Sequence, residues 1–66
     1  MDLKKLVVGE PVLVTNSAMD NKRARAGRIT YIHPAYRFAV VQIEGSYNES
    51  FFHNEIFAVD DPAVKN

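Results

Sequence analysis

The segment GRITYIHPAYRFAVVQIEG, residues 27–45, decides the fold of this chain. It contains two runs rich in β-branched and aromatic residues, a composition typical of strands. Pro34 separates the runs, because proline fixes its own φ and pushes His33 toward an extended conformation. The segment therefore predicts two strands joined at "HPAYR", with a basic and aromatic rim beside the turn.

Further strand-like runs lie on both sides of this segment. The second run of this segment, which is the third strand of the chain, ends at "EGSYN", where Gly45 is free to take a positive φ in a turn. We expect an all-β fold of five short strands: PVLVT (11–15), GRITYIH (27–33), RFAVVQI (37–43), ESFFH (49–53) and IFAV (56–59).

The stretches around these strands predict loops. Residues 16–26, NSAMDNKRARA, are polar and lack apolar periodicity, which predicts one long and mobile first loop. The opening MDLKKLVV is compatible with a helical turn and equally with a frayed lead-in. We expect a single small barrel domain over residues 1–60 and a flexible C-terminal tail over residues 61–66.

The spacing of apolar residues in the second strand predicts a bulge. Ile29 and Ile32 are three residues apart, and alternate residues of a strand point to opposite faces. Both can point inward only if the strand bulges or bends near Thr30 and Tyr31. A strongly bent strand of this kind suits a small barrel. We expect a shared core that contains Ile29, Ile32, Val41 and Ile43.

Length and composition limit the classes of protein. A chain of 66 residues holds one small core, and 47% apolar residues is typical of a globular domain. There is no cysteine and there are two histidines, so we expect no disulfide, metal or cofactor. The N-terminal apolar stretch is too short for a membrane span and is interrupted at residues 9–11, unlike a signal peptide. These features predict a cytoplasmic protein without membrane contact.

Charge is divided along the chain although the formal net charge is zero. Residues 21–38 contain five basic side chains and no acid, whereas residues 44–61 contain five acids and no base. Such blocks are often ordinary solvated charges, and antiparallel pairing of the strands can place them side by side. The basic block consists of Lys22, Arg23, Arg25, Arg28 and Arg37.

Catalysis is not expected. Ser50 and His53 are three apart on a predicted strand, so they point to opposite faces and do not form a nucleophile and base pair. The three glycines are scattered and form no phosphate-binding loop. A chain of this size can hardly build both a core and a substrate cleft. We therefore expect a binding module and not an enzyme.

The order of motifs resembles a known small barrel. "VGEPVLV" at 8–14, the polar loop, "GRITYI" at 27–32 and "AVVQI" at 39–43 are similar to the Src-homology-3-like barrel in its KOW and Tudor-like versions. The ending "ESFFHNEIFAV" resembles that barrel's fourth strand, a turn of 3₁₀ helix at "HNEI" and a short closing strand. The resemblance covers residues 8–59 and implies a five-stranded, strongly bent barrel.

A second resemblance covers less of the chain. "GRITYIHPAYRFAVVQIEG" with "FFHNEI" is similar to oligonucleotide-binding barrels of the cold-shock and related ribosomal types. After Ile56 only ten residues follow, too few for the two further strands that such a barrel requires. The Src-homology-3-like topology is therefore favoured.

Single-stranded RNA or DNA is the first predicted partner, in a transcription or translation setting. Basic side chains near the long loop can reach phosphates, and aromatic side chains supply faces for unpaired bases. Tyr31 and Phe38 have an alternative role, because the Tyr31 ring can instead be buried at the strand bend and the Phe38 ring can fill the core or shield a sheet edge. The candidate binding residues are Lys22, Arg23, Arg25, Arg28, Tyr36 and Arg37.

A protein partner is the alternative. Src-homology-3-like barrels host both kinds of partner, and an exposed sheet edge accepts an added strand. In this alternative, the surface formed by the same candidate binding residues belongs to an adaptor or inhibitor of bacterial or phage origin. The third strand is apolar on both faces, which also allows a homodimer that buries Leu13, Phe38 or Val40.

Overall fold

The computed structural model describes residues 1–15 and 24–60, and these residues form an all-β fold. Two single 3₁₀ turns, Leu3–Lys5 and His53–Glu55, accompany the strands, and the described residues contain no α-helix. The second 3₁₀ turn confirms the one expected at "HNEI". The strands are β1 (Pro11–Val14), β2 (Arg25–Ile32), β3 (Ala39–Ile43), β4 (Asn48–Phe51) and β5 (Ile56–Phe57).

The five strands form one antiparallel sheet in the order β4-β3-β2-β1-β5. β2 is the longest strand and lies at the centre, where it pairs with β1 on one side and β3 on the other. β5 joins the far side of β1, with Leu13 opposite Phe57. From β1 to β4, each strand therefore lies beside the next strand in the sequence. β5 instead pairs with β1 and forms the other edge of the sheet.

The predicted bulge in β2 is confirmed. Ile29 pairs with Val41, but the next partner of β3 residue Val40 is Tyr31, so Thr30 is the additional residue. Its hydroxyl donates to the Val40 carbonyl at 3.2 Å. The bulge changes the alternation of β2, and Ile29 and Ile32 consequently point to the same side of the sheet.

The core lies on one side of the sheet and includes the predicted residues. Ile29, Val41 and Ile43 are fully buried, and Ile32 is partly buried and packs against them. Leu3 and Leu6 of the first 3₁₀ turn are also buried, so the N-terminal segment is a part of the core and not a frayed lead-in. The other buried residues are Val12, Val14, Ala39, Phe51 and Ile56.

Several strand ends differ from the expected ones. β2 begins at Arg25, because Arg25 and Ala26 pair with β1 and the Ala26 carbonyl accepts from the Glu44 amide at 2.9 Å. β4 ends at Phe51, since the following residues enter the 3₁₀ turn, and β5 ends at Phe57. Most of the expected first loop, residues 16–23, and the expected tail, residues 61–66, lie outside the described residues.

Gly45 adopts the conformation expected of it. Its φ is +72°, and the Ser46 amide donates to the Ile43 carbonyl at 2.9 Å across the turn between β3 and β4. A positive φ at the third residue of the turn is typical of a type II turn. The sharp connection holds β4 against β3.

Gly27 has a different role, because β2 and β3 approach closely at this position. A Cβ atom on Gly27 would lie 2.5 Å from Val41 Cγ1 and 2.7 Å from the Gln42 carbonyl oxygen. The second neighbour is backbone and cannot rotate away. Glycine is therefore required here by lack of space and not by a turn.

We expect Gly27→Ala to lower the free energy of unfolding by about 1–3 kcal/mol, the usual cost of forcing an extra carbon into a packed interior. Urea unfolding followed by circular dichroism measures this change. Gly45→Asn is the control, because asparagine tolerates the positive φ and nothing lies within 4 Å of an added Cβ. An unchanged stability of Gly27→Ala would contradict the close approach of the two strands.

Candidate functional site

The outward face of the sheet carries the aromatic side chains of β2 and of the strand ends. Ala39 and Phe51 pair with each other and are buried, so their chain neighbours point away from the core. The outward position before Ala39 is Phe38, and the one after Phe51 is Phe52. Extension of the register by one residue places these two rings opposite each other on the solvent side.

Three rings make contact on this face. The centroid of the Phe38 ring lies 6.3 Å from that of Tyr31 and 4.9 Å from that of His33, and both pairs are tilted. His33 Nδ1 accepts a hydrogen bond from the Ala35 amide at 3.0 Å, which fixes the imidazole against Phe38. We call Tyr31, His33, Phe38 and Phe52 the aromatic platform.

The aromatic platform is open to solvent. Tyr31 is 46% exposed and Phe52 is 60% exposed, whereas Phe38 and His33 are half-buried by their neighbours. Tyr31 is not buried at the strand bend and Phe38 is not a core residue, whereas the half-buried position of Phe38 agrees with its other expected role of shielding a sheet edge. Exposed aromatic groups that lie together, and not singly, are typical of binding surfaces.

The outward strand positions around the aromatic platform carry no carboxylate among the described residues of β2, β3 and β4. Glu49 of β4 lies opposite Val41, on the inward-facing register, and Glu44 lies in the turn after β3. The outward positions are Arg28, Thr30, Tyr31, Val40, Gln42, Asn48 and Ser50. The strand positions of this face are therefore aromatic, polar or basic, and Glu44, directly after β3, is an acid close to Arg28.

Arg28 is held in the middle of this face. Its Nη1 atom donates to the Gly9 carbonyl at 2.8 Å, and Gln42 is its partner across the ladder to β3. A guanidinium has five N–H donors, and this bond uses one of them. A groove of about 310 Å³ lies beside it, lined in part by Pro11, Gln42 and the acid Glu44. Arg28 thus combines a fixed position with further N–H donors at the edge of a groove.

The turn between β2 and β3 positions Tyr36 and Arg37. The Tyr36 amide donates to the His33 carbonyl at 2.8 Å, and the His33 amide donates to the Phe38 carbonyl at 3.0 Å. Both Tyr36 and Arg37 are exposed. The turn therefore presents an aromatic and a basic side chain directly beside the aromatic platform.

The structure brings some of the predicted site residues together and separates others. Arg25 and Ile32 are the two ends of β2, which at about 3.3 Å per residue are about 20 Å apart. Arg25 therefore lies far from the Tyr36 and Arg37 turn, with Arg28 between them. Lys22 and Arg23 lie outside the described residues. The predicted residues that are described follow the length of β2 and do not form a compact cluster.

Sequence reasoning missed two residues next to this site. Phe52 follows the buried Phe51, and strict alternation along ESFFH could have identified it as outward-facing. Lys4 places its Nζ atom 5.9 Å from the centroid of the Tyr36 ring. No local pattern could have predicted this second contact, because the two residues are far apart in the chain.

No known protein identifies the partner of this surface by similarity. Comparison of the chain with models of known protein families, with characterised proteins and with solved structures returned no match. Within residues 1–15 and 24–60, no three metal-ligating side chains come together, and no helix has the length and apolar character needed to cross a membrane. The functional conclusion therefore depends on the residues of the outward face.

Proposed function

We propose that the protein is a non-catalytic module that binds single-stranded RNA or DNA on the outward face of β2, β3 and β4. The observation that carries this proposal is the contact of Tyr31, His33 and Phe38 on the outward face of the sheet. Aromatic side chains accept unpaired bases of any sequence by stacking. The setting in transcription or translation is a further prediction.

The outward face offers each chemical group that a single strand needs. Tyr31 and Phe38 supply ring faces for bases, while Arg28 and Arg37 flank them and can pair with phosphates. The side chains of Thr30, Gln42 and Ser50 are uncharged, so they do not repel the phosphates of a bound strand. Because the formal net charge of the chain is zero, affinity depends on stacking more than on long-range attraction.

We further infer that the sheet curls into a small barrel of the Src-homology-3-like type. Three features support this inference: the strand order, the bulge at Thr30 that bends β2, and the 3₁₀ turn before β5. Curling wraps the core side around Phe51 and leaves the aromatic platform on the outside. Such a barrel does not specify the kind of partner, so the binding proposal depends on the platform alone.

Titration of the protein with fluorescein-labelled single-stranded and duplex oligonucleotides tests the proposal. We expect binding to the single strands that weakens with salt, measured by anisotropy at about 50 and 200 mM. Arg28→Gln and Arg37→Gln should each weaken binding and reduce the salt slope by about 0.7, the value for one single-strand phosphate contact.

Arg25→Gln separates this surface from the predicted basic loop. Arg25 lies at the other end of β2 from the aromatic platform, so its change should alter the affinity for a short oligonucleotide less than Arg28→Gln does. Absence of binding to any oligonucleotide at low salt would overturn the proposal. In that case the platform would be assigned to a protein partner or to a second copy of the chain.

A further inference from the structure

A second groove lies next to the aromatic platform. Its volume is about 540 Å³, and it is bounded by the first 3₁₀ turn, the turn between β2 and β3, and the second 3₁₀ turn. The groove continues from the platform along the chain, since Tyr36 is two residues from Phe38 and His53 directly follows Phe52. Its lining residues are Met1, Asp2, Leu3, Lys4, Ala35, Tyr36 and His53.

The backbone of Tyr36 takes a positive φ in the turn between β2 and β3, where its amide donates to the His33 carbonyl. Its φ is +57°, the left-handed region that a bulky side chain rarely adopts and that glycine or asparagine adopts readily. The ring is 47% exposed, so the conformation is not stabilised by burial of the side chain. Strained residues of this kind are found at binding and active sites more often than elsewhere.

The charges of this groove favour an anion beside the Tyr36 ring. Lys4 Nζ lies 5.9 Å from the ring centroid, and Lys5 and Arg37 are exposed nearby in the two turns that bound the groove. Asp2 is the acid in the lining, and its carboxylate accepts from the Lys4 amide at 3.0 Å as the cap of the first 3₁₀ turn. Glu55 of the second 3₁₀ turn is the other acid in the turns around the groove, and its carboxylate accepts from the Phe52 amide at 2.9 Å. The three basic side chains therefore outnumber the two acids.

We propose that this groove is a nucleotide subsite that extends the platform and takes the next unit of a bound single strand. The base takes the place of the Lys4 ammonium over the Tyr36 ring, and the displaced ammonium pairs with the phosphate of the same nucleotide. This inference rests on the proposed function, because the strand must first occupy the platform. It adds a direction to that function: the strand leaves the sheet across the β2 to β3 turn toward the N-terminal 3₁₀ turn.

Oligonucleotides of increasing length test this subsite. Oligothymidylates and oligouridylates of about 2 to 10 nucleotides, as parallel arms, are titrated against the full chain and the variants Tyr36→Asn and Lys4→Gln. We expect Tyr36→Asn to weaken binding about tenfold for oligonucleotides long enough to reach the groove, the usual effect of one lost stack. The shortest oligonucleotide that binds should be affected less than about twofold, since it occupies the platform alone.

Three controls separate stacking from folding. Tyr36→Asn should melt at or above the temperature of the unaltered protein, because asparagine accepts the positive φ. Tyr36→Phe should retain affinity at every length, because the ring remains. Tyr47→Ala removes another exposed tyrosine, from the turn between β3 and β4, and should change neither the affinity nor its dependence on length.

The outcomes distinguish the subsite from the platform. If the unaltered protein binds oligonucleotides but Tyr36→Asn has the same effect at all lengths, or none at any, the subsite is wrong and the proposed function stands. If the unaltered protein binds no oligonucleotide, both are overturned. A loss that appears only above a threshold length, together with a smaller salt slope for Lys4→Gln at those lengths, supports the subsite.

Discussion

Replacement of Phe51 by alanine is expected to remove about half of the protein's free energy of unfolding. Phe51 has no exposed surface and is the largest of the fully buried side chains. Truncation of a buried phenylalanine costs about 3–5 kcal/mol, because both burial and packing contacts are lost. A domain of this length has a total stability of only about 3–10 kcal/mol, on the usual scale per residue. Urea titration with far-ultraviolet circular dichroism measures the difference.

Phe52→Ala is the matched control for this prediction. The two phenylalanines are adjacent in β4 and its extension, but Phe52 is 60% exposed. Its truncation should change stability by less than about 1 kcal/mol, as for other surface positions. An equal loss of stability in both variants would contradict the assignment of Phe51 to the inward face and Phe52 to the outward face.

Loss of the central rings of the platform is expected to have the largest effect on binding. Tyr31→Ala and Phe38→Ala should each weaken single-strand binding by about 1–3 kcal/mol, because each removes a stacking face. The two rings are in contact, so the effects of the two changes should not add in the double variant. Fluorescence anisotropy with one labelled oligonucleotide measures all three variants.

A loss of affinity in these variants must be distinguished from a loss of structure. Removal of the contact between Tyr31 and Phe38 should itself cost about 0.5–1.5 kcal/mol of stability, so each variant is checked by circular dichroism before titration. Folded variants that bind the oligonucleotide as tightly as the unaltered protein would exclude the platform as the binding surface. Tyr47→Ala serves again as the exposed tyrosine outside it.

The features that the sequence determined by itself are local in origin. Pro34 and Gly45 constrain the backbone around them, and the structure has turns at both places. The spacing of Ile29 and Ile32 required a bulge, because a period of two residues cannot otherwise place both inside. The 3₁₀ turn before β5 likewise depends on a short contiguous segment. In each case a few neighbouring residues exclude the other backbone conformations, because those would cause steric clashes or expose apolar side chains.

The tertiary structure alone decided where the platform lies. The sequence predicted that Val41 and Ile43 are buried with Ile29, but it did not show which side chains meet on the opposite face. Pairing with β2 and β4 placed Phe38 beside Tyr31 and His33 on the outward face, because it aligned Val41 with Ile29 and Ala39 with Phe51.

The contacts of the N-terminal segment also depend on the fold. Leu3 and Leu6 enter the core, and Lys4 reaches Tyr36, only after the strands have assembled. The close approach at Gly27 is of the same kind, since its neighbour Val41 lies on another strand. Such contacts join residues distant in the chain, and no periodicity or turn motif encodes them. Local sequence therefore determined the strands and turns, whereas long-range packing determined the candidate site.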